Sequence, residues 1–209
     1  MDIGAYIVVL VMSYFLGSVP SGFLAGKARG IDVRTLGSGN IGATNAFRVL
    51  GKTAGTVVLL ADALKGFVAA RWIPLLAVCF FPDARAEREG LELAAGIGAI
   101  LGHNFTCWLK FKGGKGIATS AGVVMAWAPF ACMTALALWG IVFVMTKFVS
   151  VASIAAALIL PVAVWYFSNG SLPMTAVMTA LSVLAIYKHK GNIQRLIQGT
   201  EPRAGANKK

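Results

Sequence analysis

Long apolar runs separated by short polar ones set the pattern of this chain. The first apolar run covers roughly residues 4–26 and reads as one spanning helix. A second begins near Thr53 and passes Trp72, and a third runs from near Leu91 to near Leu109. The run from Ile117 to Met145 has Pro129 in its middle, so one tilted helix or a pair of short helices fits it. Segments near 150–167 and 173–187 complete the set. A spanning helix needs about 20 mostly apolar residues.

Composition agrees with this reading. Of 209 residues 57% are hydrophobic and 13% charged, and the mean hydropathy is +0.75. A soluble domain carries roughly 25% charged residues. The chain is therefore expected to be a single integral membrane domain, residues 1–209, with lipid as its surroundings and no nucleic-acid partner. Cys79, Cys107 and Cys132 lie singly in apolar surroundings and read as packing residues. No cluster has metal-ligand spacing, so neither metal nor cofactor is implied. Signal peptides usually open on basic residues. The acidic Asp2 therefore points to a retained first helix.

Charge sets the expected topology. Residues 27–52 hold Lys27, Arg29, Arg34, Arg48 and Lys52 against Asp32, and residues 110–116 hold three lysines. The tail from residue 188 holds six basic residues against Glu201. The loop at 82–92 differs, with Arg85 and Arg88 against Asp83, Glu87, Glu89 and Glu92. Basic loops face the cytoplasm. They all do so only if 117–146 crosses twice, with a turn near Pro129. The expectation is an all-α membrane protein of seven transmembrane helices, the pair within 117–146 short. Its N-terminus lies outside and its C-terminus in the cytoplasm.

The basic loops hold more than orientation signals. Residues 36–52 read LGSGNIGATNAFRVLGK, placing Ser38, Gly39, Asn40, Thr44, Asn45 and Arg48 close together. Such a run can present amides, hydroxyls and carboxamides to a polar ligand, and an arginine can fork onto two phosphate oxygens. The stretch FKGGKGI carries Lys112, Gly113, Gly114, Lys115 and Gly116. Glycines let successive amides form an anion nest, and lysines add mobile charge. A plain cytoplasmic loop obeying the positive-inside rule also fits it. His103, Asn104 and Thr106 are polar groups near the end of an apolar helix. His189, Asn192 and Arg195 recur at spacings of three, on one side of a helix. Alone, that helix reads as a basic amphipathic segment on the lipid surface. Ser150 fits a ligand contact or a helix cap. Asp62 and Lys65 lie one turn apart inside the second span and read as a self-satisfying pair that holds helices in register.

Together these motifs resemble the bacterial acylphosphate–glycerol-3-phosphate acyltransferases, the PlsY family. The resemblance rests on GSGNIGATNAFR at 37–48, HNFTCWLKFKGGKGIAT at 103–119 and HKGNIQRLIQGTE at 189–201. It implies a seven-helix inner-membrane enzyme with a cytoplasmic active site. Such an enzyme transfers a fatty acyl group from acyl phosphate to the 1-hydroxyl of sn-glycerol 3-phosphate, giving lysophosphatidic acid and phosphate. It assigns Ser38 and Arg48 to catalysis, residues 112–116 to substrate phosphate, and importance to His189 and Asn192. Glu201 becomes a structural residue, while Gly39, Asn40, Thr44, Asn45, Ser150 and Arg195 complete the expected substrate contacts. The three loops are expected to meet on one face. Phe105-Thr106 departs from the Phe-Pro common in the family. A transporter for an organic phosphate and an anionic-lipid anchor are the rival readings. The first predicts internal repeats and midplane sites. The second leaves Ser38, Asn40, Asn45 and Asn192 unexplained.

Overall fold

The computed structural model describes residues 2–205, and among them every regular element is helical. Lys208 and Lys209, counted above among the tail cations, lie outside the described residues. The chain forms two compact units, residues 1–127 and 128–209.

The first unit holds α1 (Ile3–Ser18), α2 (Ser21–Lys27), α3 (Ala43–Val49), α4 (Lys52–Phe80), α5 (Arg88–Asn104) and α6 (Ile117–Trp127). A 3-10 segment precedes α5 at Pro82–Glu87, and another follows it at Cys107–Leu109. The second unit holds α7 (Pro129–Thr146), α8 (Val149–Phe167), α9 (Leu172–Lys188) and α10 (Lys190–Ile197). Four helical stretches are long and apolar enough to cross a membrane: residues 3–27, 52–80, 129–146 and 149–167. Residues 117–127 and 172–188 are shorter apolar helices. Many large apolar side chains, among them Leu60, Phe80, Val144, Leu158 and Val183, are exposed, as suits a lipid-facing surface. The break expected near Pro129 falls at Ala128, and Pro129 opens α7 at its first position, where its missing N–H has no helical partner to lose.

One expectation is corrected. The first apolar run is not a continuous helix: α1 stops at Ser18 and α2 starts at Ser21. The cause is Pro20, which has no N–H to offer the preceding turn. The break frees backbone carbonyls inside an apolar unit, where an unmet polar group costs several kcal/mol. Two long-range donors meet them. Lys65 Nζ of α4 donates to the Val19 carbonyl at 2.8 Å. Thr106 Oγ1, beyond α5, donates to the Ser18 carbonyl at 2.6 Å. Thr106 has φ −62°, a value a proline ring also adopts, so the departure from Phe-Pro leaves the backbone path unchanged and adds a hydroxyl.

Lys65 is balanced in turn by Asp62, with Nζ to Oδ1 at 2.8 Å and both side chains buried. Ser21 Oγ donates to the same Asp62 oxygen at 3.0 Å, and His103 Nδ1 of α5 lies 3.6 Å from it. The i,i+3 pair thus has the structural role expected of it, and it reaches further than one helix. Helix contacts around it are close because glycines line them. A Cβ at Gly66 or Gly122 would strike backbone between α4 and α6, and one at Gly17 or Gly102 would do so between α1 and α5.

Removing the cation alone would leave Asp62 buried without its ammonium, a loss of about 3–5 kcal/mol. Lys65→Met is therefore expected to lower the detergent melting temperature sharply. An unchanged melting curve would contradict the role given to this pair.

Candidate functional site

The 36–52 segment of the first unit folds around its own side chains. Asn45 is buried, and its carboxamide is wholly engaged by the loop. Its Oδ1 accepts from the Ser38 amide at 2.8 Å, and its Nδ2 donates to the carbonyls of Val33 and Leu36 at 2.8 and 3.1 Å. Asn45, expected as a substrate contact, instead fixes the turn that carries Ser38. Gly37 (φ +61°) lies against it, and a Cβ there would strike Asn45 Oδ1. Asn40 Oδ1 accepts from the Gly42 amide at 2.8 Å, closing a small turn before α3. The Gly39 amide donates to Leu36 O at 3.0 Å. The backbone amides at 38, 39 and 42 are thus bound within the loop, while Ser38, Arg48 and the partly exposed Thr44 lie at its surface.

Cations in this segment sort themselves by partner. Arg29 donates to the Leu50 carbonyl. Arg34 pairs with Asp32 at 2.7 Å and lies over the Phe23 ring, 4.7 Å from its centroid. Hydrogen bonds from Arg34 hold the Asp32 carboxyl down at about 2. Arg48, on the last turn of α3, is exposed.

The lysine–glycine loop lies on the end of α5. The Gly113 amide donates to Asn104 O at 3.2 Å, and the Gly114 amide to His103 O at 3.0 Å. A Cβ at Gly113 would strike the His103 carbonyl, and one at Gly114 would strike His103 Nε2. Gly116 (φ +82°) would bring its Cβ to 2.9 Å from Asn104 Oδ1. The glycines are needed first for close approach to α5. The amides of 113 and 114, expected to form an anion nest, each donate to a helix-end carbonyl, which would otherwise lack a partner. Of the loop's lysines, Lys112 is exposed and Lys115 half-buried. Gly116 then leads into α6 at Ile117.

A shared apolar core brings these two loops together. Leu109, between α5 and the glycines, is buried with Val33, Ile41, Ala46, Leu50, Ala54 and Val58. Two of the three motifs expected to meet are therefore neighbours in one unit. Leu109 carries no chemistry and was not singled out in the sequence. The only cue to it is an apolar residue just ahead of a polar loop.

The third motif belongs to the second unit. His189 ends α9 and accepts through its carbonyl from Asn192 and Ile193, so it joins α9 to α10 and is not on a face of α10. Its Nδ1 bonds the Ala185 carbonyl at 2.8 Å, so Nδ1 carries a proton. Glu201 is the hub of this unit. Its Oε1 accepts from Ser150 Oγ at 2.8 Å and from Asn192 Nδ2 at 2.6 Å, and its Oε2 from Arg195 Nε at 2.8 Å. Ser150, Asn192 and Arg195, all expected near substrate, are thus tied to one carboxylate. Ala204 N donates to Lys147 O at 2.9 Å, extending the same strap.

Burial alone would raise the Glu201 pKa, but the bonds from Asn192, Ser150 and Arg195 outweigh it and lower it. A carboxylate with a depressed folded pKa stabilises the fold above its unfolded value, and the gain disappears as pH falls through the folded value. The melting temperature of the native protein should exceed that of Glu201→Gln at neutral pH. The gap should close as pH drops below the ordinary glutamate value of about 4.3. A gap that persists unchanged at low pH would contradict this.

Comparison with known proteins places the whole arrangement. Residues 7–199 match the family model described as glycerol-3-phosphate acyltransferase. Curated relatives of that name include one from Bacillus subtilis (strain 168), 42% identical over 93% of this chain and 95% of its own. Another, from Methylorubrum populi, is 44% identical over 96% of this chain and 94% of its own. Among solved structures, the fold is similar to PlsY, an integral membrane glycerol 3-phosphate acyltransferase, in its glycerol 3-phosphate form. The TM-score is 0.86 at 35% identity, covering 97% of this chain and 96% of that one. The lysophosphatidic acid form of the same enzyme is similar with a TM-score of 0.83. With its motifs, its helical membrane fold and these relatives in agreement, the chain belongs to the glycerol-3-phosphate acyltransferase family, PlsY.

Proposed function

We propose that this acyltransferase takes its acyl group from acyl phosphate and delivers it to the 1-hydroxyl of sn-glycerol 3-phosphate. The products are lysophosphatidic acid and inorganic phosphate, the first step of bacterial phospholipid synthesis. The observation that carries the reading is the shared core at Leu109, which sets the Ser38–Arg48 loop beside the lysine–glycine loop. Both substrates are phosphates, so a site for them must gather cations and hydrogen-bond donors closely. Arg48, Lys112 and Lys115 supply the charge, and Ser38 and Thr44 supply hydroxyls. Asn40 holds the turn between them, and Gly39, Gly113, Gly114 and Gly116 let the backbone take its path. His189 and Asn192 are carried as catalytic by the family resemblance, and Ser150 and Arg195 as substrate contacts that also bond Glu201. The same reading takes the enzyme as one acyltransferase domain of seven crossings in the bacterial inner membrane. Its N-terminus is outside, and its basic loops and C-terminus are cytoplasmic. It rests on the unequal charge of the loops.

Transfer proceeds in one step. The acceptor hydroxyl oxygen attacks the acyl carbonyl carbon, the bond from that carbon to the phosphate oxygen breaks, and phosphate departs with the electron pair. The hydroxyl proton goes to a substrate phosphate. Ser38 donates a hydrogen bond to the developing oxyanion. Holding an activated donor beside the acceptor supplies much of the acceleration. Ser38 is read as a donor and not a nucleophile because the loop residues around it in sequence are amides, hydroxyls and an arginine, with no base among them.

The direct test is purified protein in detergent, given acyl phosphate and glycerol 3-phosphate. Lysophosphatidic acid and phosphate should form in equal amounts, without a second compartment. Absence of transfer would favour a transporter or a lipid anchor. With labelled acyl phosphate and no acceptor, no label should survive denaturation on the protein; stoichiometric retained label with ping-pong kinetics would overturn direct transfer. Arg48→Lys keeps the charge but loses the planar fork. Its activity should fall more than tenfold, since a hydrogen bond to a charged group contributes about 1.5–3 kcal/mol. Equal activity would return Arg48 to an orientation role.

A further inference from the structure

Three buried titratable side chains of the first unit stand outside the proposed chemistry: Asp62, Lys65 and His103. Lys65 is accounted for by the Val19 carbonyl. His103 is not accounted for by helix packing alone. Its Nδ1 faces Asp62 at 3.6 Å, and its Nε2 edge is the surface against which the Gly114 backbone lies. Its carbonyl accepts the Gly114 amide at 3.0 Å. One residue therefore meets the lysine–glycine loop with both backbone and side chain, while a carboxylate on a different helix lies 3.6 Å from its ring.

We propose that His103, oriented by Asp62, is a positioning residue that sets where the Gly113–Gly114 backbone lies and hence where Lys112 and Lys115 present their charge. The proposal rests on the reading that this loop holds a substrate phosphate. An imidazole is a rigid plane, and Asp62 is itself held by Lys65 and Ser21. The loop is thereby referenced to α4, α5 and the α1–α2 break together. The absence of a Cβ at Gly114 and the presence of the ring at 103 are two halves of one fit. This gives the proposal a signature that general destabilisation lacks.

The test is a double-mutant cycle on the full-length protein in detergent, reading KM for each of the two phosphate substrates together with kcat. Gly114→Ala puts a methyl into the imidazole, and His103→Ala removes the support. Each should raise KM for one substrate about tenfold or more while changing kcat far less. The double variant makes room for the methyl, and its KM should recover to near that of the better single variant. Asp62→Asn should raise the same KM and leave that of the other substrate alone. If the effects of the two single changes simply multiply, or if kcat falls in place of KM, the positioning role is overturned. Should His103→Ala not fold, His103→Ser makes the same space in the same cycle. Lys112→Gln and Lys115→Gln separate this proposal from the reading beneath it. If neither moves any KM, the loop does not hold phosphate and both fall. If they raise KM while the cycle shows no coupling, only the role of His103 falls.

Discussion

Pro20 breaks a helix inside an apolar bundle, and the two carbonyls beside the break must be met. Much of the first unit follows from how they are met. Val19 is answered by the ammonium of Lys65, which the interior tolerates because Asp62 sits one turn before it. Ser18 is answered by Thr106, which pins the chain just beyond α5. Asp62 faces His103, and His103 carries the glycine loop. The break at Pro20 is thus connected, through Lys65, Asp62 and His103, to the segment with the most concentrated positive charge.

The two loops of this unit share a design. Each has its glycine-rich backbone hydrogen-bonded internally or to a helix end, and each leaves its long or hydroxylic side chains outward. Asn45 does for the first loop what the carbonyls of His103 and Asn104 do for the second. A backbone so engaged holds the side chains it carries in a fixed place. In the second unit Glu201 plays the corresponding part, gathering Ser150, Asn192 and Arg195 from α8 and α10.

Sequence pattern and structure part company at particular residues. The apolar runs, the break near Pro129 and the Asp62–Lys65 pair were legible because hydropathy and i,i+3 spacing are local signals. The polar motifs were legible as concentrations of rare residue types in a greasy chain. Which member of a motif faces ligand and which holds backbone was not legible. Asn45 and Thr44 look alike in a row of letters, and only the path of the turn buries one of them. The glycines at 113 and 114 suggested an amide nest, yet their place against His103 depends on a contact with α5 that spacing alone does not specify. The continuous first helix was overdrawn because hydropathy does not register a missing N–H.

The central claim is that the lysine–glycine loop is preformed on the end of α5, its amides at 113 and 114 engaged before any substrate binds. Amide hydrogen exchange resolved at residues 112–117, with and without glycerol 3-phosphate, tests it most directly. The account predicts that the amides of Gly113 and Gly114 exchange slowly in the free protein and change little when substrate is added. Rapid exchange in the free protein that slows only with substrate would show that these amides grip the phosphate themselves, and would contradict the account.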